Sequence, residues 1–282
     1  HGKTVDESLQ PHGMHGELQV LLGVLHLWTR VSSMPTLRPS APPPDSTPEQ
    51  ALLVALRSRR PEQRKQAAER GLAQGTRLTR DTQVLLLRQL YVAHVELRQL
   101  RRAAEIAVQA ASLGPLQDIA WHDASRALAA LGDSHDALLA QRRAARSAPP
   151  ERRSFQLWGM ATLQHHSGDV DAALATLQKA MRSAQRDRAL LRAHAAYIRL
   201  DAGRPARNLR RTLDTLRASP NAEGYGRFLL GMIAHLMGDD REAIVHLRAF
   251  MRRNADGGVA KELTLREELR RARLVLAKID SH

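Results

Sequence analysis

Residues 118–149 read DIAWHDASRALAALGDSHDALLAQRRAARSAP, two helix-like runs joined at a single glycine, Gly132. Glycine returns at the equivalent point at Gly168, Gly203 and Gly238, at intervals of 36, 35 and 35 residues. Each of these glycines follows an apolar run and precedes a run that contains alanine. A unit of this length cannot bury its apolar face alone, so neighbouring units must stack. The sequence therefore predicts an all-α protein built from helical repeats.

The other helices are predicted from apolar periodicity and from the positions of proline and glycine. The last helix is amphipathic, with Leu265, Leu269 and Ala272 on one face and arginines on the other. This pattern suits a helix that caps the end of a stack. The predicted helix pairs are 49–59 with 62–74, 81–97 with 101–112, 116–131 with 134–147, 151–166 with 169–184, 187–201 with 205–218, and 222–237 with 240–254.

The repeated unit resembles the tetratricopeptide repeat (TPR), a helix pair of about 34 residues. The resemblance covers about residues 81–256. It is weaker in the unit that starts at Ala189, where Asn208 replaces the helix alanine, and the unit that starts at Leu85 has Gln99 at the expected turn glycine. It implies a right-handed α-solenoid of about five to six helix-turn-helix repeats with a C-terminal capping helix. The motif positions of the best-matching unit are Trp121, Ser125, Gly132, Ala137, Ala144 and Pro149.

Two domains are predicted, an N-terminal arm at residues 1–48 and a TPR-like repeat domain at 49–282. The arm contains a short, nearly all-apolar helix around 18–28 and a proline-rich linker at 35–44. A helix that is apolar nearly all round requires burial. Residues 17–30 therefore suggest homo-oligomerisation, or a segment that occupies the groove of its own or a neighbouring molecule.

The TPR resemblance implies that the first helix of each pair lines a concave groove, in which an extended or helical segment of another protein would bind. Aromatic side chains are frequent among the groove positions and are well suited to recognition. The alternative, given equal weight, is that these rings pack between adjacent repeats. The candidate binding residues are Gln89, His122, Arg126, Phe155, Thr162, His165, His194, Tyr197, Tyr225, Phe228, Met232 and His235.

The chain is strongly basic, with a net charge of +14 and 38 arginines against five lysines. One interpretation is an arginine-rich surface for nucleic acid, with Arg207, Arg210 and Arg211 as one cluster. The other is a GC-rich genome that favours arginine codons, which fits the even spread of arginines along the chain. Nucleic-acid binding is accordingly the second function predicted, behind protein binding.

No enzyme signature is recognisable: a Walker loop, a dinucleotide-binding glycine motif and a nucleophile elbow are all missing. The chain contains no cysteine, which excludes disulfides and thiolate chemistry and fits a cytoplasmic location without requiring it. Neither a metal site nor a cofactor is expected, and no stretch has the length of a membrane span. Because the chain starts at His1 rather than methionine, a further alternative is the regulatory portion of a larger enzyme or regulator.

Overall fold

The computed structural model describes residues 47–75, 78–184, 186–255 and 257–281, and these residues form α-helices, one 3₁₀ turn and short connections. The helices pack as consecutive pairs, α1 with α2 through α11 with α12, followed by two C-terminal helices. This is the all-α helical-repeat architecture that the sequence predicts. The helices are α1 Pro48–Arg57, α2 Pro61–Leu72, α3 Arg80–Glu96, α4 Leu100–Ser112, α5 Gln117–Leu131, α6 Ser134–Ser147, α7 Pro150–His166, α8 Val170–Ser183, α9 Arg188–Asp201, α10 Leu209–Arg217, α11 Tyr225–Leu236, α12 Asp240–Ala255, α13 Gly258–Thr264 and α14 Arg266–Asp280.

The recurring glycines end the first helix of their pairs. Gly132, Gly168, Gly203 and Gly238 have φ angles of 90°, 81°, 67° and 81°, in the left-handed region that side chains disfavour. At the first of these turns the amide of Asp133 donates to the carbonyl of Leu128 at 3.0 Å. The glycine period is therefore a period of tight turns between paired helices.

The pair α3–α4 makes the same turn without glycine. Arg98 adopts a φ of 57°, and the amide of Gln99 donates to the carbonyl of His94 at 2.8 Å. Arg98, rather than the predicted Gln99, thus occupies the glycine position. A non-glycine residue in this region costs roughly 1–2 kcal/mol, which the packing of the two helices offsets.

Small residues allow the paired helices to approach closely. Ala137, Ala173 and Ala243 are fully buried. A Cβ atom at Gly231 would lie 2.6 Å from Cγ of Leu247, so the contact between α11 and α12 requires a residue without a side chain at this position. These positions are architectural, as the TPR-like pattern predicts.

Neighbouring pairs are joined by side chains that lie about one repeat apart in the sequence. The Nε1–H of Trp158 donates to Nδ1 of His194 at 2.8 Å, across 36 residues. The guanidinium of Arg152 donates to the carboxylate of Asp118 at 2.8 Å, across 34 residues. The repeat period of the sequence is therefore also the period of the contacts between stacked pairs.

The C-terminal helices do more than cap the stack. α14 packs against α11 and α12, as expected of a capping helix, while α13 lies against α3 and α5 near the other end of the repeat array. The polypeptide therefore returns across the first helices of the pairs. We call Gly258–Asp280 the C-terminal segment.

The predicted arm at residues 1–48 falls almost entirely outside the described residues, as do the oligomerisation helix at 17–30 and the proline-rich linker. The described domain starts at α1, where Thr47 caps the helix by accepting from the amide of Gln50. Among the described residues, the helices are too short or too polar to cross a membrane.

Candidate functional site

The first helices of successive pairs, α3, α5, α7, α9 and α11, carry all the candidate binding residues. We call the surface that they form the first-helix face. Gln89, Phe155 and Thr162 are partly exposed on these helices. The hydroxyl of Thr162 donates to the carbonyl of Trp158 in its own helix at 3.1 Å. A partner could therefore reach these three side chains without repacking of the core. His122, Arg126, Tyr225 and His235 are also partly exposed, but they contact other side chains or the C-terminal segment of the same chain.

Five of the twelve candidates are buried, and they include two of the four phenylalanine and tyrosine candidates. The exposed fraction of the side chains is 1% for His194, Tyr197 and Phe228 and 5% for His165 and Met232. The expectation that the aromatic residues form an exposed recognition surface is therefore wrong for Tyr197 and Phe228. Their rings pack between adjacent repeats, which is the alternative that the sequence left open.

The buried rings form one continuous aromatic cluster across α7, α9, α11 and α12. The ring of Tyr197 lies 5.7 Å from that of Phe228, which lies 5.4 Å from that of Phe250. Trp158 meets Tyr225 edge to face at 5.0 Å between ring centroids. Such edge-to-face pairs add to the stabilisation from burial alone. The cluster thus holds the last three repeats together.

Two C-terminal side chains bind the polar rim of the aromatic cluster. The first is Arg271 of α14, whose guanidinium donates to the hydroxyl of Tyr197 and to the carboxylate of Asp201, both at 2.8 Å. The same carboxylate oxygen of Asp201 lies 3.0 Å from Nε2 of His165. Burial, with the adjacent Asp201 adding to it, raises the pKa of Tyr197 to about 12, so its hydroxyl is neutral. Arg271 therefore links α14 to α9 and, through Asp201, to α7.

The second side chain is Glu268, whose exposed fraction is 3%. Its carboxyl accepts from the hydroxyl of Tyr225 at 3.1 Å and lies 3.9 Å from Nε2 of His166. Burial raises the pKa of Glu268 to about 7 and lowers that of His166 to about 4. Near neutral pH His166 is uncharged. It therefore provides no positive charge to pair with the carboxylate of Glu268.

The rest of the C-terminal segment binds α5 and the turn after α3. Arg98 pairs with Glu262 at 3.0 Å, and both side chains are more than half exposed. The guanidinium of Arg126 donates to the carbonyl of Ala260 at 3.4 Å. The candidate Arg126 therefore contacts a segment of its own chain.

His122 belongs to a buried polar chain that joins α5, α6 and α7. Its Nδ1 lies 3.0 Å from the amide oxygen of Gln141, whose amide nitrogen donates to the side chain of Gln156 at 3.0 Å. Gln156 donates in turn to the carboxylate of Asp118 at 3.4 Å, and Asp118 also accepts from Arg152. Burial lowers the pKa of His122 to about 4, so it is a neutral member of this chain.

His235 and Arg143 have local partners, whereas Arg207, Arg210 and Arg211 of the predicted arginine cluster are exposed. Nδ1 of His235 lies 2.8 Å from the carboxylate of Asp240 at the turn between α11 and α12. Arg143 stacks over the ring of Trp121, 4.6 Å from its centroid. In the described residues, no group of three histidines, aspartates or glutamates is placed to hold a metal ion. The predicted alternative of nucleic-acid binding gains no support from these contacts.

The buried histidines predict that acid destabilises the fold. Nδ1 of His194 accepts from Trp158 and must be unprotonated to do so. Burial lowers the pKa of His194 to about 3, from 6.5 when unfolded. The unfolded chain therefore binds a proton that the folded chain does not, and stability falls as pH decreases below about 6.5, by up to about 1.4 kcal/mol per pH unit for this group. Urea unfolding at several pH values measures this slope.

The matched control for this experiment is His194→Asn. Its side-chain oxygen can accept from Trp158 and does not titrate. We expect the variant to be less stable than the wild type at neutral pH, because it leaves a cavity, but to lose stability less steeply between pH 6.5 and about 5. Equal slopes in the two proteins would show that His194 does not titrate as the buried contact requires.

Comparison with known proteins finds a solved structure of similar length. No family model matches the chain, and no curated protein matches its sequence. A crystal structure of the apo form of RapI is similar to it, with a TM-score of 0.47 and 10% sequence identity, over 93% of this chain and 94% of that one. The assignment to an all-α, TPR-like repeat fold rests on the helix pairs and turns described above.

Proposed function

We propose that this protein is a non-enzymatic interaction scaffold whose first-helix face binds a segment of another protein. The observation that carries the proposal is that a polypeptide segment already lies on this face. The C-terminal segment is held there by side chains of several repeats, including Arg126, Tyr197 and Asp201. A face that holds one helical segment has the donors, acceptors and apolar surface to hold another.

The contacts with the C-terminal segment combine apolar and polar recognition. Leu269 and Ala272 are buried against the cluster that contains Phe228. Around this apolar contact, the hydroxyls of Tyr197 and Tyr225 bind charged side chains. An apolar anchor with a polar rim is typical of interfaces that recognise a specific protein segment.

The partly exposed residues Gln89, Phe155 and Thr162 mark the part of the first-helix face that a partner can reach directly. The ring of Phe155 packs edge to face against His122 at 5.2 Å, which fixes its orientation on α7. A fixed aromatic ring provides contact area at a small cost in conformational entropy. The cytoplasmic location expected from the sequence belongs to the same proposal.

The test compares two proteins that carry a photo-reactive amino acid, one on a first helix and the other on a second helix. p-Benzoylphenylalanine replaces Phe155 on the first-helix face or, as a matched control, Leu139, which is 39% exposed on the second helix α6. Both proteins are irradiated in nuclease-treated extract at low and high salt, after circular dichroism has confirmed that they are folded. We expect covalent protein adducts from position 155 and few or none from position 139.

The pattern of adducts decides between the functions. A discrete protein adduct from position 155 that persists at high salt supports segment binding at this face. Equal labelling from positions 155 and 139, or no adduct from either, contradicts it. Association that disappears with nuclease or at high salt would instead favour nucleic-acid binding, because contacts with phosphate weaken steeply as salt increases.

A further inference from the structure

We infer that the C-terminal segment Gly258–Asp280 is a displaceable intramolecular ligand of the first-helix face, and that the protein's partner is an amphipathic helix which replaces it. This inference rests on the proposed function and specifies both the partner and its regulation. Four features of the described residues carry it: shallow burial, a buried carboxylate, exposed outer contacts and the left-handed conformation of Gly258 at the start of the segment.

The C-terminal segment is buried much less than the helices that it covers. None of the seven residues of α13 is buried, and only Glu268, Leu269 and Ala272 are buried among the 15 of α14. By contrast, eight of the 12 residues of α11 are buried. Elements with little buried apolar surface open at a lower free-energy cost than the rest of a protein. The C-terminal segment can therefore leave while the repeats stay folded.

The buried Glu268 weakens the docking of α14. The groups that face its carboxyl are Tyr225 of α11, His166 of α7, and Glu267 and Arg271 of its own helix. Arg271 directs its guanidinium at Asp201, Tyr197 and Glu267, and not at Glu268. A buried carboxylate without a cation partner is unfavourable. Because its pKa is raised to about 7, the carboxyl ionises as pH rises through neutrality, and docking weakens.

The outer contacts of the segment are weak. The pair Arg98–Glu262 is more than half exposed on both sides, and such surface ion pairs contribute little stability. Arg266 donates to the carbonyl of Ala130 at 3.4 Å, a long hydrogen bond on an exposed surface. Gly258 has a φ of 70°, so the connection between α12 and α13 uses a conformation open to glycine.

The bound segment also shows the chemistry that a partner must present. The α14 helix places a carboxyl at Glu268, an apolar side chain at Leu269 and a guanidinium at Arg271, all within one turn. These reach Tyr225, the aromatic cluster and the Tyr197–Asp201 pair respectively. The partner is therefore a helical protein segment with an acidic, a leucine-like and a basic residue on one face.

The test uses the full chain and a fluorescein-labelled peptide that contains residues 258–281 of the same sequence. A loosened variant, Leu269→Ala/Arg271→Ala, weakens the segment without altering any residue of the first-helix face. A tightened variant, Glu268→Gln, removes the buried charge and keeps an oxygen that accepts from Tyr225. Fluorescence anisotropy at pH 8 measures peptide binding, and hydrogen exchange measures the protection of each helix.

We expect the loosened variant to bind the peptide at least tenfold more tightly than the wild type does, and the tightened variant to bind it more weakly than the wild type. A peptide that carries the same two alanines should not bind. Hydrogen exchange should increase in α13 and α14 of the loosened variant, while α5, α7 and α9 stay protected. These results together would establish that the segment leaves a folded, competent face.

Three results would overturn the inference. One is global unfolding of the loosened variant, which would make the segment part of the core. Another is a loosened variant whose segment is released, as measured by hydrogen exchange, but which does not bind the peptide. The third is equal cross-linking of a partner from position 155 in the wild-type and loosened proteins. This result would leave the scaffold function intact but would show that the segment does not compete with the partner. Peptide binding without any external adduct would instead support displacement and contradict the scaffold function.

Discussion

Alanine at Tyr197, Tyr225 and Phe228 together is expected to unfold the C-terminal repeats. Tyr197 and Phe228 are 1% exposed, and the ring of Phe228 contacts the rings of both tyrosines. Truncation of a buried aromatic residue to alanine costs about 3–5 kcal/mol. The three effects will not add exactly as separate values because the rings touch. Their combined cost still reaches the total stability of about 5–15 kcal/mol that is typical of a folded protein.

Circular dichroism and urea unfolding measure this effect. We expect the triple variant to lose helical signal at room temperature or to unfold at much lower urea than the wild type. Phe228→Leu is the matched control, since it keeps most of the apolar volume and should cost only about 1–2 kcal/mol. Phe155→Ala is the second control, because its ring is partly exposed at the edge of the cluster. A triple variant with wild-type stability would mean that these rings are not packed as described.

This expectation changes how binding should be tested. Loss of a partner in the triple variant would report unfolding and not the loss of a recognition surface. Variants at Phe155, Gln89 or Thr162 alter the same face with less damage to the core, since these side chains are partly exposed. Binding and stability can then be measured separately.

The repeat architecture could be predicted because its determinants are local. A left-handed turn at Gly132 or Gly238 is specified by one residue, and the alanines that follow pack against the helix before the turn. The turn without glycine is also determined locally. Arg98 adopts the same turn conformation, and its position was mispredicted only because no glycine marks it. Helix pairing over short turns needs no information from distant parts of the chain.

The position of the C-terminal segment on the first-helix face could not be predicted, because its contacts join residues far apart in the chain. Arg271 reaches Tyr197 across 74 residues, and Arg98 pairs with Glu262 across 164. The sequence shows α14 as an amphipathic helix, which fits a cap equally well. One signal was available in retrospect: Glu268 lies on the apolar side of that helix, next to Leu269. A carboxyl at such a position indicates a polar partner on another element.

The polar chain that joins α5, α6 and α7 could not be predicted from the sequence either. It leads to the second prediction of a large effect on stability. Asp118→Ala is expected to destabilise the protein by about 3 kcal/mol. The carboxylate is 2% exposed and accepts two hydrogen bonds from Arg152 at 2.8 Å. Its removal takes away the carboxylate that binds a guanidinium only 21% exposed and the amide of Gln156. Breaking a buried ion pair on one side is costly for this reason.

A double-mutant cycle with Arg152→Ala isolates the interaction from the other contacts of each residue. Urea unfolding of the two single variants and the double variant should give a coupling energy of about 1.5–3 kcal/mol, the range for hydrogen bonds to charged groups. Asp171→Ala is the matched control: its pair with Arg204 also spans one repeat but is exposed, so little change is expected. Equal effects of the two carboxylates would show that burial is not the reason why the Asp118–Arg152 pair holds α5–α6 and α7–α8 in their stacked arrangement.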